Sequence, residues 1–100
     1  MSLRHEPQTD DLFRSILSLE SVEECYAYFE DLCTVKELRD MAQRLQVAAL
    51  MRSGSSYIAA QEATGASSAT IGRVKRCLDY GAGGYQMILE RMKEEKADEA

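Results

Sequence analysis

The chain has 100 residues and a formal net charge of -5, from 12 Lys and Arg against 17 Asp and Glu. That length suits one domain and excludes an enzyme that carries a separate cofactor domain. With 45% hydrophobic and 29% charged residues, the composition is that of a folded globule and not of a disordered tail. The acidic total hides a segregation: residues 1–40 carry net -6, residues 41–80 net +3 and residues 81–100 net -2. A partner responds to the local field, so a central basic block inside an acidic chain keeps an anionic partner open.

Cys25, Cys33 and Cys77 form no C-x-x-C pair, and an odd count without framework spacing does not suggest a disulfide scaffold. They read as small, buried apolar residues. His5 is the single histidine, so a zinc site lacks ligands and no metal is expected. No apolar run approaches the roughly 18 residues of a membrane span. Met1 to Asp10 is polar and lacks the apolar stretch of a signal peptide. The expectation is a cytoplasmic protein with no membrane partner.

Apolar residues recur at helical spacing along the whole chain, and no sustained strand-like alternation is present. Leu12, Phe13, Ile16 and Leu17 make the first stripe, from about Thr9 to Leu19. Ser21-Val22-Glu23-Glu24 reads as a capping box in front of a helix carrying Cys25, Tyr26, Phe29 and Leu32. Thr34-Val35-Lys36-Glu37 is a second box and opens the longest helix, whose apolar face is read as Val35, Leu38, Met41, Ala42, Leu45 and Ala49. Gly54 follows its end, a favourable place for a left-handed cap. A short helix from about Ser56 to Ala63 precedes the turn Thr64-Gly65-Ala66, and Ser67 caps a helix from Ser68 to about Tyr80 that stops at Gly81. Gly83-Gly84 is a loop. A last amphipathic helix carries Tyr85, Ile88, Leu89 and Met92 and dissolves into the charged tail from Lys93 to Ala100. The predicted fold is all-α, with about six short helices that need tertiary packing. It is one domain over 1–100: dimerisation and core helices over 9–53, a helix-turn-helix over 56–80 and a C-terminal helix over 84–96. So much apolar face on a small chain suggests a shared dimer core, with a compact monomeric bundle as the alternative.

The segment from Ser56 to Leu78 is the informative one. Gly65 permits a sharp left-handed turn between two short helices. Ile71, Val74 and Leu78 recur at i, i+3 and i+7, one apolar face toward the rest of the domain. Ser68, Ala69 and Gly72 are small, which lets the start of the second helix approach the floor of a DNA major groove. Arg73, Lys75 and Arg76 are within reach of phosphates or base edges. Ser67, Ser68, Ala69, Thr70, Gly72, Arg73, Lys75 and Arg76 are therefore the candidate DNA-binding residues. A helical hairpin with a merely solvated polar face is the plainer alternative; the basic charge gathered here, with Arg44 and Arg52 on the long helix, favours the DNA reading. In the commonest helix-turn-helix a small alanine four residues before the turn glycine packs on the second helix; counting back from Gly65, that position is Gln61.

Two stretches, Thr34 to Leu45 and Ala66 to Arg73, resemble the Trp repressor family. The chain is more closely similar to its small YerC/YecD-type branch through Asp40-Met41-Ala42-Gln43-Arg44-Leu45, Thr64-Gly65-Ala66-Ser67 and Arg76-Cys77-Leu78. The resemblance covers roughly Thr34 to Met92 at motif level. It implies an intertwined helical homodimer, and a repressor whose two helix-turn-helix units enter successive major grooves of double-stranded DNA. It also aligns Arg44 and Arg73 with the two arginines that sandwich the corepressor's indole. Val74 then stands where the repressor has a glycine that gives the ligand room, and Cys77 where a serine helps hold its amino end. Overpacking of that kind costs about 1–3 kcal/mol. The expectation is therefore no cofactor: tryptophan is not carried over, and Arg44 and Arg73 are read first as contacting phosphates or acidic side chains, with a ligand-binding role as the alternative.

The leading function is thus a sequence-specific DNA-binding transcriptional regulator, a repressor acting as a dimer, with any small-molecule effector unassigned. The alternative is a protein-interaction module that uses the helices as scaffold without binding DNA. An enzyme is the weakest reading. No Ser/His/Asp set, paired-carboxylate pocket or phosphate-cradling loop is visible, and Gly81-Ala82-Gly83-Gly84 follows a helix where a phosphate loop follows a strand.

Overall fold

A computed structural model describes residues 5–99, with side chains through Glu95. The described residues form six helices and no strand: α1 (Pro7–Leu17), α2 (Val22–Leu32), α3 (Val35–Arg52), α4 (Tyr57–Thr64), α5 (Ser68–Tyr80) and α6 (Gly84–Glu99). By contact the chain divides into two compact units, Met1–Leu38 and Arg39–Ala100.

In the first unit, α1 starts two residues earlier than the apolar stripe suggested. Pro7 at its first turn explains this: its fixed φ suits a helix start, and its missing N–H is no loss there. Ser21 caps α2 by accepting from the Glu24 N–H at 3.1 Å. The Glu24 carboxylate reaches past Ser21 and accepts from the Glu20 N–H at 2.8 Å, so this box closes one residue further back than the motif implies. At α3 the box is reciprocal: Thr34 Oγ1 accepts from the Glu37 N–H at 3.1 Å, and Glu37 accepts from the Thr34 N–H at 2.8 Å. Thr34 holds the Glu37 carboxyl below its ordinary range, through its backbone N–H first and its side chain second. One polar pair ties α1 to α2. Ser15 donates to the Leu12 carbonyl at 2.6 Å, so Tyr28 donates to Ser15, also at 2.6 Å. Neither α1 nor α2 contains a buried residue.

The second unit holds the core. Val47, Ala48 and Met51 of α3, Ala60 of α4, Ala66 of the turn, Ile71, Val74 and Leu78 of α5 and Leu89 of α6 form one apolar cluster. Ile71, Val47 and Val74 are its largest fully buried side chains, each worth about 1.5–3 kcal/mol on burial. Arg52 of α3 donates to Glu90 of α6, an ion pair that lowers the Glu90 carboxyl below its ordinary range, and Gln86 of α6 donates to the Leu78 carbonyl at 3.3 Å.

Two expectations are corrected. The buried stripe of α3 is Val47, Ala48 and Met51, not the face from Val35 to Ala49. Val35, Met41, Ala42 and Ala49 are exposed, and of that set Leu45 packs partly against the cluster. The long helix carries two apolar stripes, and periodicity does not say which one its own chain covers. The C-terminal helix does not dissolve at Lys93 or stop at 96 but continues to Glu99, because the Glu, Lys and Ala of this stretch are strong helix formers. The side chains after Glu95, with Met1 to Arg4 and Ala100, lie outside the described residues.

Candidate nucleic-acid interface

The segment from Ser56 to Gly81 is built by local chemistry at each joint. Ser56 caps α4 by accepting from the Ala59 N–H at 3.1 Å. Gly65 ends α4 in the left-handed region, φ 73 and ψ 4, and its N–H returns to the Gln61 carbonyl at 2.8 Å. A side chain at Gly65 would meet no neighbour, so the glycine is there for its backbone and not for space. Ser67 then caps α5 by accepting from the Thr70 N–H at 3.1 Å, and its own hydroxyl donates to Thr70 Oγ1 at 3.1 Å. Gly81 ends α5 for a different reason: a Cβ there would lie 2.4 Å from the Cys77 carbonyl oxygen.

The first helix packs on the second through Ala60, fully buried, and not through the position counted from Gly65. Gln61 is half-buried, one residue on. The small contact expected of a helix-turn-helix is therefore present but displaced, as suits a first helix of only eight residues.

Helical geometry sorts the side chains of α5. Ile71, Val74 and Leu78 are buried on one face. At 3.6 residues per turn, Ala69, Gly72, Arg73, Arg76 and Tyr80 lie on the opposite side. Ala69, Arg73 and Arg76 are exposed and Gly72 is half-buried. Tyr80, at 86% exposure, extends this face beyond the residues picked out from the sequence; its spacing from Arg73 and Arg76, at i+7 and i+4, is the signal that would have found it. Among the described residues Arg73 and Arg76 make no ion pair.

The other candidates fall on the flanks or in the turn. Ser68 is exposed. Ser67 and Thr70 are engaged with each other and with the start of α5, so their first role is to set that helix. Lys75 is half-buried and pairs with Asp79 at 3.2 Å one turn on. Arg44 is half-buried on α3. Val74 is 1% exposed within the apolar cluster, whereas Cys77 is exposed and Cys25 and Cys33 are half-buried, so none of the cysteines is the buried core residue expected of it. No group of three or more metal-ligating side chains occurs among the described residues, and no described helix is long and apolar enough to cross a membrane.

Two short capped helices joined by a left-handed glycine, with the second helix anchored on one face and basic on the other, define a helix-turn-helix module. The Trp repressor protein family model matches residues 7–93, and the chain belongs to that family. It is 53% identical over 91 residues to the YerC protein of Bacillus subtilis (strain 168), itself uncharacterized, covering 91% of this chain and 88% of that protein. A crystal structure of a candidate Trp repressor from Staphylococcus aureus superposes with a TM-score of 0.87 at 49% identity, covering 89% of each chain. A TrpR-like protein from Eubacterium eligens gives 0.86 at 43% identity, covering 88% of this chain and 91% of that one. The six-helix, strand-free architecture agrees with these neighbours. Family members are DNA-binding transcriptional regulators and not enzymes.

Proposed function

We propose that this chain is a sequence-specific DNA-binding repressor that acts as a homodimer. The observation that carries the reading is the two-sidedness of α5: Ile71, Val74 and Leu78 anchor it in the core, while Ala69, Gly72, Arg73 and Arg76 present a slim basic face on the other side. Small residues at the helix start let it sink into the major groove, and the arginines further along then meet phosphates or guanine edges. Ser67 and Thr70 fix the start of that helix, and Ser68 flanks its tip. Lys75 joins the phosphate contacts when DNA competes with Asp79 for its ammonium.

The homodimer is supported by the first unit. Leu17 is 83% and Val22 67% exposed, and Phe13, Tyr26, Leu32 and Val35 are exposed as well. So much uncovered apolar side chain marks an interaction surface. A second copy covering the same surface by two-fold symmetry supplies a second α5, and paired recognition helices read half-sites about one DNA turn apart, roughly 34 Å. Binding at a promoter then excludes polymerase.

Tryptophan is not part of this mechanism. Arg44 and Arg73 are both present, but the position beside Arg73 that must stay empty for an indole is filled by Val74, which the core needs. The two arginines serve phosphate attraction instead.

Selection of bound duplexes from a random DNA pool, with and without tryptophan, tests the reading. The expected result is one enriched two-fold-symmetric sequence, identical in both conditions. No enrichment in either condition would contradict the proposal and favour a protein partner; enrichment only with tryptophan would overturn the corepressor-free mechanism.

A further inference from the structure

The turn of the helix-turn-helix is closed by its own hydrogen bonds except at one point. Gly65 returns its N–H to Gln61, and Thr64 Oγ1 donates to the Ala60 carbonyl at 2.7 Å while accepting from the Ala66 N–H at 3.1 Å. The Thr64 carbonyl is one of the four carbonyls that the end of α4 leaves without a helical partner. It is met from outside the motif: the side-chain amide of Gln43, on α3, donates to it at 3.1 Å in a part-buried setting. Gln43 lies one helical turn before Val47, so the face of α3 that packs on the core also carries this tie. At the far end of α5, Gln86 holds the Leu78 carbonyl from α6. The Gln43 amide ties the end of α4, three residues before the Ser67 cap of α5, to the long helix, and the Gln86 amide ties the last turn of α5 to the C-terminal helix.

We propose that Gln43 is a positioning residue for DNA recognition, setting the angle at which α5 meets the groove. It rests on the DNA-binding reading above. Apolar contacts alone let two helices slide and tilt at little cost, whereas one directed hydrogen bond to a carbonyl otherwise left unpaired selects a single register. Base readout depends on that register, and phosphate attraction tolerates its loss. Gln43 therefore separates specific from non-specific affinity.

The test compares the wild type with Gln43→Met, which keeps the length of the side chain and removes its donor. Three quantities are measured: amide exchange at Gly65 and Ala66, the affinity ratio between the enriched duplex and a shuffled one, and the slope of log affinity against log salt. The proposal expects unchanged helix content, faster exchange at both amides, a ratio lower by about fivefold to tenfold and an unchanged salt slope. Unchanged exchange would overturn the tie. Faster exchange with an unchanged ratio would overturn the positioning role and leave a simple staple. A wild type with no preference for any duplex would instead defeat the DNA reading, while the exchange measurement still decides whether Gln43 holds the turn.

Discussion

The two units are made of similar helices and handle their apolar side chains in opposite ways. In the second unit, every helix contributes to one cluster, and α5 is buried on one side to the last atom of Ile71. In the first, α1 starts on Pro7 without a side-chain cap, α2 is capped by Ser21, and the Ser15–Tyr28 pair ties them, yet neither buries a residue. Periodicity therefore establishes helices in both, and burial within one chain distinguishes them. A helix that is locally formed but leaves its apolar face uncovered presents an interaction surface.

The largest expected effect tests that contrast. Ile71→Ala should cost about 2–5 kcal/mol of stability, because it opens a cavity in a packed core. Leu17→Ala should change the stability of an isolated chain by less than about 0.5 kcal/mol. If a second copy covers the first unit, Leu17→Ala instead lowers the melting temperature in a concentration-dependent way. A melting temperature independent of both the substitution and the concentration would contradict a second copy covering the first unit. The next effect concerns the outer face of α5. Gly72 has open space where a side chain would stand, so Gly72→Glu should fold normally, although glycine and glutamate differ in helix propensity in the variant's favour. Its carboxylate would face phosphate, where like charges cost several kcal/mol, so binding should fall by at least about a hundredfold. A mobility-shift assay with retained binding would remove α5 from the groove.

How far the sequence could be read follows the same division. Ile71, Val74 and Leu78 were legible because α5 has one apolar stripe and the cap and turn residues around it, Ser67 and Gly65, each perform a single local task. The buried side of α3 was not legible, since Val47, Ala48 and Met51 compete with a second stripe that this chain leaves exposed. Gln61 at the usual alanine position pointed to a different packing of the first helix, but not to Ala60 as the buried contact, for a motif counted from the glycine assumes a standard first helix. The ties from Gln43 and Gln86 left no sequence signal, because their acceptors are backbone carbonyls that any residue supplies.

Two smaller effects sharpen the electrostatic side. Arg76→Ala should weaken binding to every duplex alike and reduce the salt slope by about one phosphate contact. An effect confined to one sequence would make Arg76 a base reader. The smallest effect belongs to the α3 box. The Glu37 carboxyl is held below its ordinary range by Thr34, so its contribution is present above the unfolded value and lost as pH falls through the lower folded one. Amide protection factors at the first turn of α3, corrected for the intrinsic pH dependence of exchange, should fall on acidification in the wild type. In Glu37→Gln, which keeps an acceptor and loses the titration, they should not.

The central claim is that the face of α5 opposite Ile71, Val74 and Leu78 enters the major groove as one of a symmetric pair. Methylation protection at guanine N7 on the enriched duplex tests it most directly, since that atom lies only in the major groove. The account predicts two protected patches on one side of the helix, centred about 34 Å apart, and both lost with Gly72→Glu. A single patch, or protection that survives Gly72→Glu, would contradict it.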